Sequence, residues 1–128
     1  MVEDNDLNRM LFEYYLETTP CAAAFAENGE QGVEAFRVGR FDIVFMDVSM
    51  PVMDGLEATR AIREIERERG EEPTPIVALT AHGLAGDEQR CLDAGCTLYL
   101  AKPVRQRDVL RCIRDYAAMR VAAGGGVE

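Results

Sequence analysis

The chain predicts an α/β fold, a doubly wound parallel sheet with helices on both faces, and three observations carry that prediction. Short apolar runs alternate with longer amphipathic stretches along the sequence, the pattern that sets helices between parallel strands. Runs such as Ile43-Val44-Phe45-Met46 and Ile76-Val77-Ala78-Leu79 are apolar throughout, which suits strands covered on both faces. Several runs end in a residue fit for chemistry: Asp47 after Met46, Thr80 after Leu79, Lys102 after Ala101. Open α/β sheets bind their ligands at such carboxyl ends.

The elements follow in order. A helix over Asp6 to Thr18 aligns Leu7, Met10, Leu11, Tyr14 and Tyr15 on one face, with Asp6 as N-cap and Pro20 as stop. Cys21 to Ala26 reads as a short strand, Asn28-Gly29 as punctuation, and Gln31 to Val38 as a helix stopped by Gly39. Phe41 to Met46 is the next strand. After a loop with Pro51 and Gly55, a helix from Leu56 to Arg69 turns Ala58, Ile62 and Ile65 inward. The charge run from Arg63 to Glu72 is its solvated face and an exposed turn. Ile76 to Leu79 is a strand, Asp87 to Ala94 a helix capped by Gly95, and Leu98 to Ala101 the last strand. A final helix from Arg105 to Arg120 buries Val109, Leu110, Ile113 and Ala117.

With 128 residues, one domain is expected, over 1–120, followed by a Gly-rich tail at 121–128. A net charge of -9 argues against a nucleic-acid partner, because neutralising phosphates takes the opposite sign. Cys21, Cys91, Cys96 and Cys112 have neither zinc-ligand spacing nor the density of a disulfide framework. No apolar stretch approaches a membrane span, and the acidic start lacks the features of a signal peptide. No direct membrane contact and a cytoplasmic location are therefore expected.

Three carboxylates fall beside strand ends: Glu3 and Asp4 before the first helix, and Asp47. Gathered together they would repel one another unless a cation joined them, and hard oxygen ligands of this kind suit Mg²⁺. An amine from Lys102 and a hydroxyl from Thr80 opposite them would stabilise a phosphoryl group as charge develops on it.

From Val2 to about Ala118 the sequence resembles the receiver domains of two-component response regulators, particularly those of hybrid histidine kinases. The resemblance rests on Glu3-Asp4 followed by Asn5 and Asn8, on the run from Met46 to Gly55, on Leu79-Thr80-Ala81-His82, on Ala94-Gly95 and on Tyr99-Leu100-Ala101-Lys102-Pro103. It implies a flavodoxin-like sheet of order 2-1-3-4-5. It also implies that Asp47 is the phosphoacceptor, taking its group from the phosphohistidine of a histidine kinase or histidine phosphotransfer protein. Asp4, Asp47 and the backbone carbonyl of Ser49 would hold Mg²⁺ directly, with Glu3 acting through water. Lys102 would contact the phosphoryl oxygens. Thr80 would hydrogen-bond one of them after its loop shifts inward, and Tyr99 would be the aromatic that turns in with it. Lys102-Pro103 would be a cis peptide. The domain would assist its own phosphorylation and dephosphorylation without turning over an external substrate.

Plainer readings stand beside these. Asp54 reads as a helix cap, His82 as a loop residue at the rim, and Tyr99 alternatively as a half-buried strand aromatic. Arginines 105, 107, 111, 114 and 120 read first as a solvated face, with a dimer or kinase contact second. A haloacid-type hydrolase would need a second Asp two residues after Asp47, where Ser49 stands. A phosphorylation-independent interaction module is the alternative function.

The alternative draws on one departure from the family pattern. Only Met1 and Val2 precede Glu3, so the first strand is largely missing. Compensation would come from strain in a short chain, from segment exchange in a homodimer, or from the second strand moving over, with Met119 to Ala123 as a substitute strand. An unanchored end would leave Glu3 and Asp4 swinging free of the pocket.

Overall fold

A computed structural model describes residues 1–17, 19, 23–39, 41–48, 53–80 and 87–117. Its elements are α1 (Asp6–Leu16), α2 (Gly29–Val38), β1 (Val44–Asp47), α3 (Gly55–Arg69), β2 (Ile76–Thr80), α4 (Asp87–Ala94), β3 (Leu98–Ala101) and α5 (Gln106–Cys112), which runs on as π-helix over Ile113–Ala117. The three strands pair in parallel in the order β1-β2-β3, with Val44 opposite Ile76 and Val77 opposite Leu98. Every residue of β1 and β2 is buried, as expected for parallel strands covered on both faces.

What remains of the first strand is short but in place. Val2 bridges in parallel to Ala26 on one side and to Met46 on the other. Counting Ala26 as the second strand and Val2 as the first, the sheet runs 2-1-3-4-5, the predicted order. Val2 donates to the Phe45 carbonyl at 2.9 Å and accepts from the Asp47 N–H at 3.0 Å, while Glu3 donates to the Ala26 carbonyl at 2.9 Å. The Ala26 N–H in turn donates to Met1, again at 2.9 Å, and the terminal amine of Met1 donates to the Ala24 carbonyl at 2.7 Å. Pairing on both sides satisfies the backbone groups that a lost strand would strand in the interior. The second strand does not move over to β1, because Val2 still lies between them.

The core divides by sheet face. Val44, Met46, Ile76 and Ala78 pack with Val2, Val33, Phe36, Leu56 and Ile62 beneath α2 and α3. On the other face Phe45, Val77 and Leu79 pack with Phe12, Val109 and Cys112 beneath α1 and α5. This alternation along each strand is what winds helices onto both faces.

Several sequence expectations are corrected. Asn5, not Asp6, caps α1, accepting from the Asn8 N–H at 3.1 Å. The inward face of α1 also differs from the expected one: Leu7, Met10, Leu11 and Tyr14 are 73%, 63%, 43% and 64% exposed, while Phe12 is buried. Among the described residues of the predicted strand Cys21 to Ala26, only Ala26 forms a bridge, because its neighbour in the sheet offers a single bridge residue, Val2. The strand expected from Phe41 begins at Val44, where the N–H finds the Pro75 carbonyl at 2.9 Å, and Phe41 stacks instead on Phe36. Leu110 and Ile113 are half-buried rather than buried. Asp54 is the cap expected of it, and closes a full capping box with Glu57. Gly95 adopts the left-handed φ of 111° that ends α4. Ser49, Ala81, His82, the end of the last predicted helix, the proposed substitute strand and the tail lie outside the described residues.

Candidate functional site

Each site side chain is delivered by the end of a strand. Val2 pairs with the middle of the sheet, so Glu3 and Asp4 emerge at its carboxyl edge next to Asp47, the last residue of β1. One carboxylate oxygen from each of Glu3, Asp4 and Asp47 lies within 4.8 Å of the others. Glu3 and Asp47 are buried and Asp4 is exposed, so the cluster opens to solvent on one side. Gly55 lets the start of α3 lie directly against Asp47: a Cβ there would stand 2.2 Å from the Asp47 carbonyl oxygen.

Lys102 follows β3, and its N–H donates to the Thr80 carbonyl at 2.7 Å, tying the ends of β2 and β3 together. The Lys102-Pro103 bond is cis, as expected. The Lys102 ammonium donates to Asp47 Oδ1 at 3.0 Å and stands 3.7 Å from Glu3 Oε1. The Thr80 side chain is buried at the end of β2. Tyr99 lies on β3 opposite Ala78, back from the carboxyl edge, half-buried and with its hydroxyl 3.4 Å from Glu88 of α4. The negative charge of Glu88 raises the pKa of that phenol.

Glu3 is held from α1. Its Oε2 accepts from the Asn5 N–H and from Asn8 Nδ2, both at 3.2 Å, and its carbonyl accepts from Arg9 Nη1 at 2.6 Å. Oε1 is buried, and among the described residues no hydrogen-bond donor meets it. Burial pushes the Glu3 carboxyl above the usual range and the Asp47 charge adds to this, against the Asn8 bond and the Lys102 charge.

A carboxyl raised in the folded state favours folding in its protonated form. That contribution is full below the ordinary value of 4.5 and is lost as pH rises through the raised value. Glu3→Gln is therefore expected to stabilise the metal-free protein at neutral pH and to flatten its gain on acidification. Urea midpoints taken across that range check this, and an unchanged slope would refute it.

An orphaned buried oxygen beside two further carboxylates has the donor chemistry of a site for a hard divalent cation. Sequence reasoning placed Glu3, Asp4, Asp47, Lys102 and Thr80 together, and the structure brings them to one edge. The sequence carries no signal for the contacts of Arg9 with the Glu3 carbonyl or of Tyr15 with Val104 and Gln106. The spacing of three between Asn5 and Asn8 at the helix start is the sequence signal for the cap that Asn5 forms.

A parallel sheet with an acidic cluster, a lysine and a buried threonine at its carboxyl edge defines a class: α/β modules built for phosphoryl chemistry on a carboxylate. Residues 1–114 match the model of the response regulator receiver domain, and the chain belongs to that family. It is 37% identical over 124 residues to the sensor histidine kinase GacS of Pseudomonas protegens, covering 97% of this chain and 14% of the relative. It is also 37% identical to the signal transduction histidine-protein kinase BarA of Shigella flexneri, over 90% of this chain and 12% of that one. The chain thus spans about one-seventh of the length of these relatives.

Among solved structures, a TM-score of 0.89 at 32% identity relates it to a chain of a Saccharomyces cerevisiae co-crystal. That structure holds the histidine phosphotransfer protein Ypd1 with the receiver domain of the response regulator Ssk1, and the match covers 93% of this chain and 87% of the other. The receiver domain of the sensor kinase PA1611 of Pseudomonas aeruginosa matches with a TM-score of 0.81 at 38% identity, over 91% and 93% of the two chains. That receiver has a magnesium ion coordinated in its active-site cleft.

Proposed function

We propose that this receiver domain accepts a phosphoryl group on Asp47 from the phosphohistidine of a histidine kinase or histidine phosphotransfer protein. The observation that carries the reading is the contact of Lys102 with Asp47 Oδ1 at 3.0 Å, inside a cluster that joins Asp47 to Glu3 and Asp4. An Asp47 carboxylate oxygen forms the new bond to phosphorus as the bond from phosphorus to the histidine nitrogen breaks. The departing imidazole keeps that electron pair and takes up a proton from solvent.

Mg²⁺ is the cation these donors fit, with Asp4 and Asp47 as direct ligands, the Ser49 carbonyl as a third and Glu3 acting through water. When bound it offsets the negative charge of the carboxylates and of the phosphoryl oxygens. Lys102 offsets charge from the opposite side, at the position its contact with Asp47 already defines. Thr80 supplies a hydroxyl from the end of β2. Tyr99, held near Glu88, is the aromatic whose turn reports the state of Thr80, so a dianionic group at Asp47 shifts the α4 and β3 edge between two arrangements.

The face of α1 left exposed supports the choice of partner. Leu7, Met10, Leu11 and Tyr14 form an apolar stripe at helical spacing that begins three residues after Asp4. A histidine-bearing helical partner could lie along it with its histidine over the cluster. Among the described residues no helix is long and apolar enough to cross a membrane, and a cytoplasmic setting suits a partner of this kind. The domain assists its own phosphorylation and dephosphorylation and turns over no other substrate. The interaction-module alternative drew its force from a free-swinging Glu3 and Asp4, and the pairing of Val2 and Glu3 on both sides removes that ground.

Incubation with Mg²⁺ and acetyl phosphate should add one phosphoryl mass, mapped to the peptide containing Asp47. The absence of an adduct, or an adduct elsewhere, overturns the reading.

A further inference from the structure

Between β3 and α5 the chain passes through Lys102, Pro103, Val104 and Arg105 without regular structure, yet this is the segment that aims the lysine. Its near end is fixed by the bond from the Lys102 N–H to Thr80. Its far end is fixed by α1. The Tyr15 hydroxyl donates to the Val104 carbonyl at 2.9 Å, and Gln106 Nε2 donates to the Tyr15 carbonyl at 3.2 Å.

Tyr15 is itself braced. Its ring packs at 5.9 Å on Phe12, which meets Phe45 of β1 edge-on at 5.3 Å. The side chain is therefore linked through Phe12 to the strand that presents Asp47, and it reaches the loop that presents Lys102. Two parts of the site far apart in sequence are set at a fixed spacing by one phenol, and nothing in the proposed chemistry otherwise calls for a tyrosine here.

We infer that Tyr15 is a positioning residue for Lys102, its hydroxyl holding the loop so that the ammonium meets Asp47 at phosphoryl-transfer distance. The inference rests on the functional reading above. Tyr15 touches none of Glu3, Asp4 or Asp47 by hydrogen bond, so its effect runs through Lys102 and leaves the cation cluster as it is. A displaced amine would stabilise the developing phosphoryl charge less well, since such contacts depend steeply on placement.

The test compares the whole protein with Tyr15→Phe, Lys102→Ala and the double variant. Phenylalanine keeps the ring against Phe12 and removes only the hydroxyl. At saturating Mg²⁺ the rate of modification by acetyl phosphate should fall about three- to tenfold in Tyr15→Phe, the range that one net hydrogen bond supplies. Mg²⁺ affinity should be unchanged. In the Lys102→Ala background the same substitution should have no further effect, because the two residues act as a unit.

A second reading does not depend on phosphorylation: the ε-methylene NMR resonance of Lys102, assigned through its loss in Lys102→Ala, should shift in Tyr15→Phe. Loss of Mg²⁺ affinity in step with the rate would make Tyr15 a general support of α1 and overturn the inference. So would a full Tyr15→Phe effect in the absence of Lys102, or an unmoved Lys102 resonance. If the wild-type chain takes no phosphoryl group at all, the functional reading falls, and the Lys102 resonance alone decides the role of Tyr15.

Discussion

Asp47→Asn is expected to end phosphoryl incorporation altogether while leaving the fold standing. The substitution is close to isosteric, and Asp47 is buried at the end of β1, so a change in shape would be felt and a change in charge isolates the chemistry. An amide oxygen can still accept from Lys102 in place of Oδ1. It cannot supply the anionic nucleophile that becomes an acyl phosphate. Removing one of three clustered carboxylates also lowers their mutual repulsion, so the metal-free variant should lose no more than about 1 kcal/mol of stability. Mg²⁺ should bind it more weakly because one anionic ligand is gone. Intact mass after acetyl phosphate treatment, a Mg²⁺ titration and a urea midpoint together check the three parts. An adduct of undiminished stoichiometry on Asp47→Asn would move the acceptor elsewhere and end the assignment.

The sequence made the strand ends legible because a buried parallel strand has to release its last residue at the sheet edge. Asp47, Thr80 and Lys102 each followed an unbroken apolar run, and each stands where that reasoning put it. Helices with an explicit signal were equally readable: Asp54 and Glu57 announce the start of α3, and Gly95 the end of α4.

The first strand is as short as the sequence implies, and what the sequence does not show is how firmly it is held. Three residues are too few to show a strand pattern, yet Met1, Val2 and Glu3 bond to neighbours on both sides, and two-sided pairing does for a short segment what length does at an edge. The face of α1 was misjudged for a physical reason. Leu7, Met10, Leu11, Tyr14 and Tyr15 form a good stripe, but Asn8, Phe12, Tyr15 and Leu16 form one too, and of the expected face only Tyr15 packs against the core. Periodicity cannot choose between two stripes when the winner is set by the bonds from Asn8 and Arg9 to Glu3. Those bonds turn Phe12 toward Phe45 and leave the rest of the larger apolar stripe to solvent. The link from Tyr15 to Val104 spans 89 positions, and nothing local in the sequence announces it.

The outcome for α1 is a helix with two occupations. Its inner side holds Glu3 near its start and the Lys102 loop near its end. Its outer side carries the stripe assigned to the partner.

The largest stability loss away from the site is expected at Glu66, on the edge of the sheet opposite the carboxylates. Glu66 is 2% exposed. Its Oε1 accepts from Arg63 Nη1 at 2.7 Å and its Oε2 from the Thr74 N–H at 2.7 Å. Arg63 is spent on the same junction, donating from Nη1 to the Thr74 carbonyl and from Nε to the Gly95 carbonyl, each at 2.8 Å. The pair thus ties α3 to the segment entering β2 and to the turn entering β3, and so fixes where the strands that carry Thr80 and Lys102 begin. Glu66→Ala removes the anion, leaving the buried Thr74 N–H and the half-buried Arg63 guanidinium each with one partner fewer. Breaking a buried pair from one side costs about 3–5 kcal/mol. Glu66→Gln keeps an acceptor for one donor and should lose less. Urea unfolding with an unchanged slope and a lowered midpoint would register the loss as stability. A cost in Glu66→Ala below about 1 kcal/mol, the range of an exposed pair, would show that the junction is held by the packing of α3 and not by this carboxylate.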